Sequence, residues 1–299
     1  MQFVDVSAVA TAVLLLGFFI AAVVDWRTRE VDDRLWLAVG LIGGGLQAFV
    51  VAPGGVLPLL VWIVVAAFAI QHLLPWDEAV FGDASERAGY VELGAYLGVG
   101  AMLFLLGWRD GVGPTGVPAA AVAVYVSVLI ARGLFEAGLL YGGADAKALM
   151  VAAVAVPFNP VPWLAPHGAA SAILAVYPFA VTVLMNGAVV AVVIPVALLV
   201  RNAARGDWNG LRTFTGYPLD VEELPHRFVW VADPTFRRDD AETSDDDQRV
   251  RERLRDEFRA TGVRSVWVTP QIPFVVLLAA GALLGVLVGN VVLDVFSYL

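Results

Sequence analysis

The stretch Gly17-Phe18-Phe19-Ile20-Ala21-Ala22-Val23-Val24-Asp25-Trp26-Arg27-Thr28-Arg29 decides how this chain is read. It closes an apolar run, Ser7 to Val24, with a carboxylate and then two arginines. Crossing a bilayer takes about 20 mostly apolar residues. A carboxylate at the hydrocarbon edge is costly, and is by default a functional-site hypothesis. A second such acid stands in Tyr141-Gly142-Gly143-Ala144-Asp145-Ala146-Lys147, where Asp145 opens another apolar run. Two acids of this kind point to paired-carboxylate chemistry at a membrane edge.

Composition agrees with a membrane setting. Of 299 residues 59% are hydrophobic, against about half in a soluble domain. The first apolar run is followed by Asp-Trp-Arg-Thr-Arg and by no small-residue cleavage site, so no removable signal peptide is expected. There is no cysteine, which excludes disulfides and thiolate metal sites. The net charge is -9, and Lys147 is the only lysine. An acid-rich, lysine-poor chain fits a salty cytosol, the halophile reading. A GC-rich genome would also favour arginine over lysine.

Apolar periodicity predicts an all-α polytopic membrane protein of about eight transmembrane helices. The spans fall near Ser7 to Val24, Leu35 to Val51, Val56 to Leu74, Val91 to Leu106, Ala119 to Leu140, Asp145 to Val156, Ala172 to Val200 and Pro273 to Val295. The sixth is short, with Phe158 to Trp163 completing it irregularly. Pro178 and Pro195 are expected to bend the seventh, as neighbouring helices permit in lipid. Three parts follow: a membrane-embedded core over 1–200, a small soluble segment over 201–265, and a last helix over 266–299. In the middle part Phe214 to Leu219 and Arg227 to Val231 have strand-like content. Asp239 to Asp247 reads as a solvated loop, and Val250 to Ala260 as a charged helix.

Basic residues near span ends set orientation. The Asp25 to Arg34 loop and the Arg201 to Arg264 segment are the arginine-rich ones. With about eight spans they share one side, which is then cytoplasmic, and both termini face outward. Asp25 and Asp145 fall at the same level, near that cytoplasmic face.

Two neighbouring carboxylates cannot both ionise easily, so they share a proton. The ionised member can take a proton from an attacking water while the other donates to a carbonyl oxygen. Which acid plays which part is not assigned, because such a pair titrates as a unit. Gly142 and Gly143 would let an extended peptide approach Asp145 closely. Taken alone, these glycines also read as helix-end residues.

The same motifs resemble those of the archaeal type IV prepilin peptidases, the group that includes the preflagellin (archaellin) peptidases. These are Gly-x-Gly-Asp membrane aspartic proteases. Val24 to Val31 resembles the family's first-aspartate motif, and Gly142-Gly143-Ala144-Asp145-Ala146-Lys147 its second. Tyr177-Pro178-Phe179 through Met185-Asn186-Gly187 to Arg201-Asn202 resembles a later span. Val266 to Phe274 resembles the approach to the last helix. The resemblance implies Asp25 and Asp145 as the catalytic pair, with no metal, no nucleotide and no other cofactor. It implies cleavage of the short basic leader of prepilins and prearchaellins on the cytoplasmic side of the cell membrane. Ala144 replaces the family's second glycine. The region Pro75 to Pro118 looks like a helical pair inserted into a family core of about six spans.

Other residues carry weaker expectations. Lys147 is expected to support Asp145, to contact a lipid phosphate or to dock substrate; otherwise it snorkels to the headgroups. Arg132 and Glu136 are spaced as an intrahelical pair. Asp77 and Glu78, with Glu30, Asp32, Asp33, Asp83 and Glu86 nearby, could hold a basic leader by charge or form an ordinary acidic surface. Asn186 is expected to bond helix to helix. His72, His167 and His226 have no zinc-site spacing. The expected partners are precursor peptides and the lipid bilayer, without nucleic acid. Two other readings stand: a broader intramembrane protease of the signal-peptide-peptidase kind, and a transporter or scaffold. The nearly uniform apolar spans speak against the last.

Overall fold

The computed structural model describes residues 5–74, 86–140, 142–161, 163–164, 177–232 and 244–297. The chain divides into two compact units, Met1–Val189 with Phe274–Leu299, and Val190–Pro273.

The first unit is helical: α1 Val6–Thr28, α2 Asp33–Val51, α3 Val56–Gln71, α4 Glu86–Asp110, α5 Ala119–Glu136, α6 Gly143–Ala155, most of α7 Phe179–Ala191, α10 Phe274–Leu287 and α11 Val291–Ser297. Among the described residues of the chain, five helical stretches are long and apolar enough to cross a membrane, and α3 and α10 are shorter apolar helices. Side chains such as Phe19, Leu41, Phe49, Leu97 and Phe104 point outward from it. Exposed apolar surface on that scale is expected of helices meant for lipid.

The unit is built around α6, which packs against α1, α2, α3, α5 and α10. From Ala148 to Ala155 every residue is buried. A helix apolar on all sides belongs inside a bundle. Its alanines allow close approach, and so do glycines on α2. A Cβ on Gly43 would meet the Ala155 Cα at 2.7 Å, and one on Gly44 would meet the Val154 Cγ1 at 3.0 Å. Small residues at the seam let membrane helices pack backbone to backbone. Gln47 closes the seam by donating from Nε2 to the Ala155 carbonyl at 3.0 Å.

At about 1.5 Å per residue α6 is too short to cross alone. The irregular chain beyond it has its polar groups met by neighbours. The Phe179 N–H donates to the Pro157 carbonyl, and Trp163 and Leu164 donate to the carbonyls of Val286 and Leu287. Such satisfaction is what permits irregular backbone at membrane depth.

Three expectations are corrected here. The seventh span is not one helix bent at two prolines: Pro178 precedes α7, and Pro195 sits in the first turn of α8, Val193–Arg205, where a proline costs no helical bond. The last span is likewise broken. Gly289, at φ 100, separates α10 from α11. Asn186 spans the break, donating to the Gly289 carbonyl at 2.9 Å and accepting from the Val291 N–H at 3.0 Å. It thus bonds helix to helix as expected. The fifth span stops at Glu136, not Leu140; Gly138, at φ 67, follows it and turns the chain.

The region read as an inserted pair contributes α4. Its Tyr96 hydroxyl lies 3.2 Å from the His72 Nε2 and its carbonyl accepts from the Tyr125 hydroxyl at 2.9 Å. Arg132 on α5 pairs with Glu136 at 2.8 Å, as its spacing predicts, and also reaches Glu92 on α4 at 3.4 Å.

The second unit holds α8, a three-stranded sheet and α9, Ser244–Ala260. The sheet qualifies the all-α expectation. Its strands are β1 Tyr217–Asp220, β2 Val229–Val231 and β3 Ser265–Pro270, in the order β1-β3-β2. Both pairings are antiparallel, with Leu219 opposite Val266 and Trp230 opposite Thr269. β1 and β2 fall where strand content is read. β3 occupies residues read as the approach to the last helix. Leu219, Val221, Leu224, Val229, Phe258 and Val268 form the core. Gly216 admits β3, since a Cβ there would meet the Trp267 Nε1 at 2.8 Å.

Candidate active site

Asp25 sits in the last turns of α1 and is half-buried. The helix ends four residues later because Arg29 takes the left-handed conformation, at φ 63. That backbone is unfavourable for a side-chain-bearing residue by about 1–2 kcal/mol. Strain of this kind gathers at functional sites. The Arg29 N–H donates to the Asp25 carbonyl at 3.0 Å, and its guanidinium lies over Trp26. The Thr28 hydroxyl donates to the Val24 carbonyl at 2.9 Å. Asp32 then caps α2, accepting from the Arg34 N–H at 2.8 Å.

Asp145 lies in the first turn of α6 and is only 7% exposed. Gly142 is the N-cap, and its carbonyl accepts from the Asp145 N–H at 3.1 Å. The Gly142 N–H donates back to the Asp145 carboxylate. A third-position side chain turned back to the N-cap N–H is one half of a capping box, and glycine has no side chain to supply the other half. The bond from the Gly142 N–H fixes the carboxylate at the helix mouth. A Cβ on Gly142 would come within 2.9 Å of the Asp145 Oδ2. The backbone there, at φ -104 and ψ 130, suits any residue, so glycine is needed for space and not for conformation. Gly143 is exposed, and a Cβ on it would meet nothing within 4 Å. Ala144 is half-buried against the core.

α1 and α6 pack together, so the helices that carry Asp25 and Asp145, distant in the sequence, are neighbours. Lys147, two residues beyond Asp145, donates from Nζ to the Asp33 Oδ2 at 2.6 Å. That pair ties the first turns of α6 and α2 together. Asp33 as the partner of Lys147 has no local signal in the sequence; only its place beside the first motif hints at it. Asp77 and Glu78 lie outside the described residues. Among the described residues no group of His, Asp and Glu is arranged to hold a metal ion.

A bundle of packed apolar helices, several of them long enough to cross a membrane, is the architecture of a multi-pass membrane protein. Residues 209–291 match the family model described as Archaeal Peptidase A24 C-terminus Type II. That match, over less than a third of the chain, is a likeness to the archaeal prepilin/preflagellin peptidase family. The matched stretch takes in all three strands, α9 and α10, and carries neither aspartate. No curated protein and no solved structure matches the chain.

Proposed function

We propose that this chain is a membrane aspartic endopeptidase that removes the short basic leader of type IV pilin-like precursors, prepilins and prearchaellins, at the cytoplasmic face. The observation that carries this reading is the packing of α1, with Asp25 near its end, against α6, with Asp145 in its first turn. One carboxylate is ionised and takes a proton from water as the oxygen attacks the scissile carbonyl. The other carboxyl donates its proton to the carbonyl oxygen, giving a neutral tetrahedral diol. The carboxyl that took the water proton then gives it to the leaving nitrogen while the other, now ionised, takes a proton from a diol hydroxyl, so that the C–N bond breaks, the new carboxylic acid forms and the pair returns to its starting state. The arginines at 27, 29 and 34 support a cytoplasmic position for this end of the bundle. Asp77 and Glu78 are the proposed docking acids for the leader.

Incubation with a tagged precursor carrying a basic leader, followed by sequencing of the new N-terminus, tests the proposal. Cleavage just before the apolar segment is expected. A cut within that segment, or none, overturns it.

Lys147 is assigned a positioning role through Asp33. Lys147→Met should lower the turnover rate about tenfold, the equivalent of about 1.4 kcal/mol, with little change in KM. A half-exposed ion pair contributes at most about 1 kcal/mol to stability, so melting should barely move. Asp33→Asn should match Lys147→Met, and the double variant should be no worse than either. Normal kinetics of Asp33→Asn would assign Lys147 to substrate contact instead.

The acidic, lysine-poor composition is read as adaptation to a salty cytosol. Thermal melting in molar salt should then lie well above that in dilute buffer, where like charges are unscreened. Equal melting in both removes the halophile reading.

A further inference from the structure

We propose that the segment following α8, residues 206–214, is a membrane-interface anchor seated on the headgroups of an anionic bilayer. α8 is the second part of the apolar stretch Phe179–Arg205, which is long enough to cross a membrane. Val193, Val196 and Val200 lie on one face of α8 and are 62%, 53% and 62% exposed. Such a face suits lipid.

The chain beyond α8 cannot swing away from the helix end. Gly206, at φ 73, turns it sharply. Asn202, fully buried in the last turn of α8, donates from Nδ2 to the carbonyls of Thr213 and Gly216 at 2.9 and 2.7 Å. The Asp207 N–H donates to the Asn202 carbonyl at 2.9 Å, and the Asn209 N–H donates to the Thr213 hydroxyl at 3.0 Å. A short 3-10 helix, Gly210–Phe214, results. It is held where the crossing stretch leaves the hydrocarbon.

This pinned segment faces outward with Trp208, Leu211 and Phe214. Leu211 is 85% exposed. Tryptophan beside apolar side chains at a helix end is the composition of a headgroup-level belt. The charges agree. Arg201, Arg205 and Arg212 face one acid, Asp207, in a chain whose net charge is -9. Arg201 is occupied with Tyr217, 4.2 Å from its ring. Arg205 and Arg212 are exposed and enter no ion pair among the described residues. Exposed cations next to a membrane surface are attracted by anionic lipid.

The absence of cysteine makes the test clean. Single cysteines replacing Trp208, Leu211, Phe214 and, as a control on α9, the exposed Glu257 are spin-labelled in the full chain. The chain is placed in nanodiscs of phosphatidylglycerol and phosphatidylcholine. Collision with oxygen over collision with a water-soluble nickel chelate should be several-fold higher at 208, 211 and 214 than at 257. Arg205→Gln with Arg212→Gln, or pure phosphatidylcholine, should lower that ratio at 211. Nickel access at 211 equal to that at 257 overturns the proposal. So does protection that disappears as protein is diluted into excess lipid, which would show a second copy of the chain as the occupant.

Discussion

Asp25→Asn and Asp145→Asn are each expected to cut leader cleavage by about 10³-fold, within what a positioned proton-transferring group supplies. Asparagine keeps the size of the side chain and cannot shuttle the proton. At position 145 it also keeps an oxygen able to accept the Gly142 N–H, so the start of α6 survives. Loss of activity therefore does not reduce to loss of fold, and unchanged melting in detergent should confirm it. The two acids act as one unit, so the double variant should be no slower than either single one. The wild-type rate should follow a bell in pH, because one acid must be protonated and the other ionised. Full processing of a tagged precursor by either single variant removes the paired-acid mechanism.

The second large effect is steric. Gly142→Val should lower turnover by about 10²-fold, the loss that follows a displacement of about 1 Å at a reacting group. A Cβ at 142 would press the Asp145 Oδ2 from 2.9 Å, and valine adds two methyl groups beyond it. Either the carboxylate or the helix mouth must move. Gly143→Ala is the matched control, because its Cβ would meet nothing within 4 Å. It should keep nearly the full rate on a short leader. Comparable losses in both variants would mean that the glycines serve the incoming peptide and not the seat of Asp145.

Much of this was legible in the residues. Apolar runs announce membrane helices because hydrocarbon tolerates little else, and α1 and α2 lie where those runs predict. Asp25 and Asp145 stand out because a carboxylate at that boundary is expensive. Strand-like runs at Tyr217 and Val229 were readable for the same local reason. The break at Gly289 was not. A helix interrupted inside lipid depends on a distant group to meet its backbone, as Asn186 does for Gly289 and Val291. The strand at Ser265 was hidden as well, since it is a strand only through partners on both sides.

The sequence by itself determined the membrane class, the two acids and the small residues around the second. Each is a local cost or a local allowance, paid or used where the residue stands. Only the tertiary structure decided that α6 is the buried centre of its bundle, that Lys147 turns to Asp33, and that the helix bearing Asp25 lies against the one bearing Asp145. Those facts depend on helices distant in the chain closing around one another through glycine and alanine, and no local pattern records which surfaces will meet.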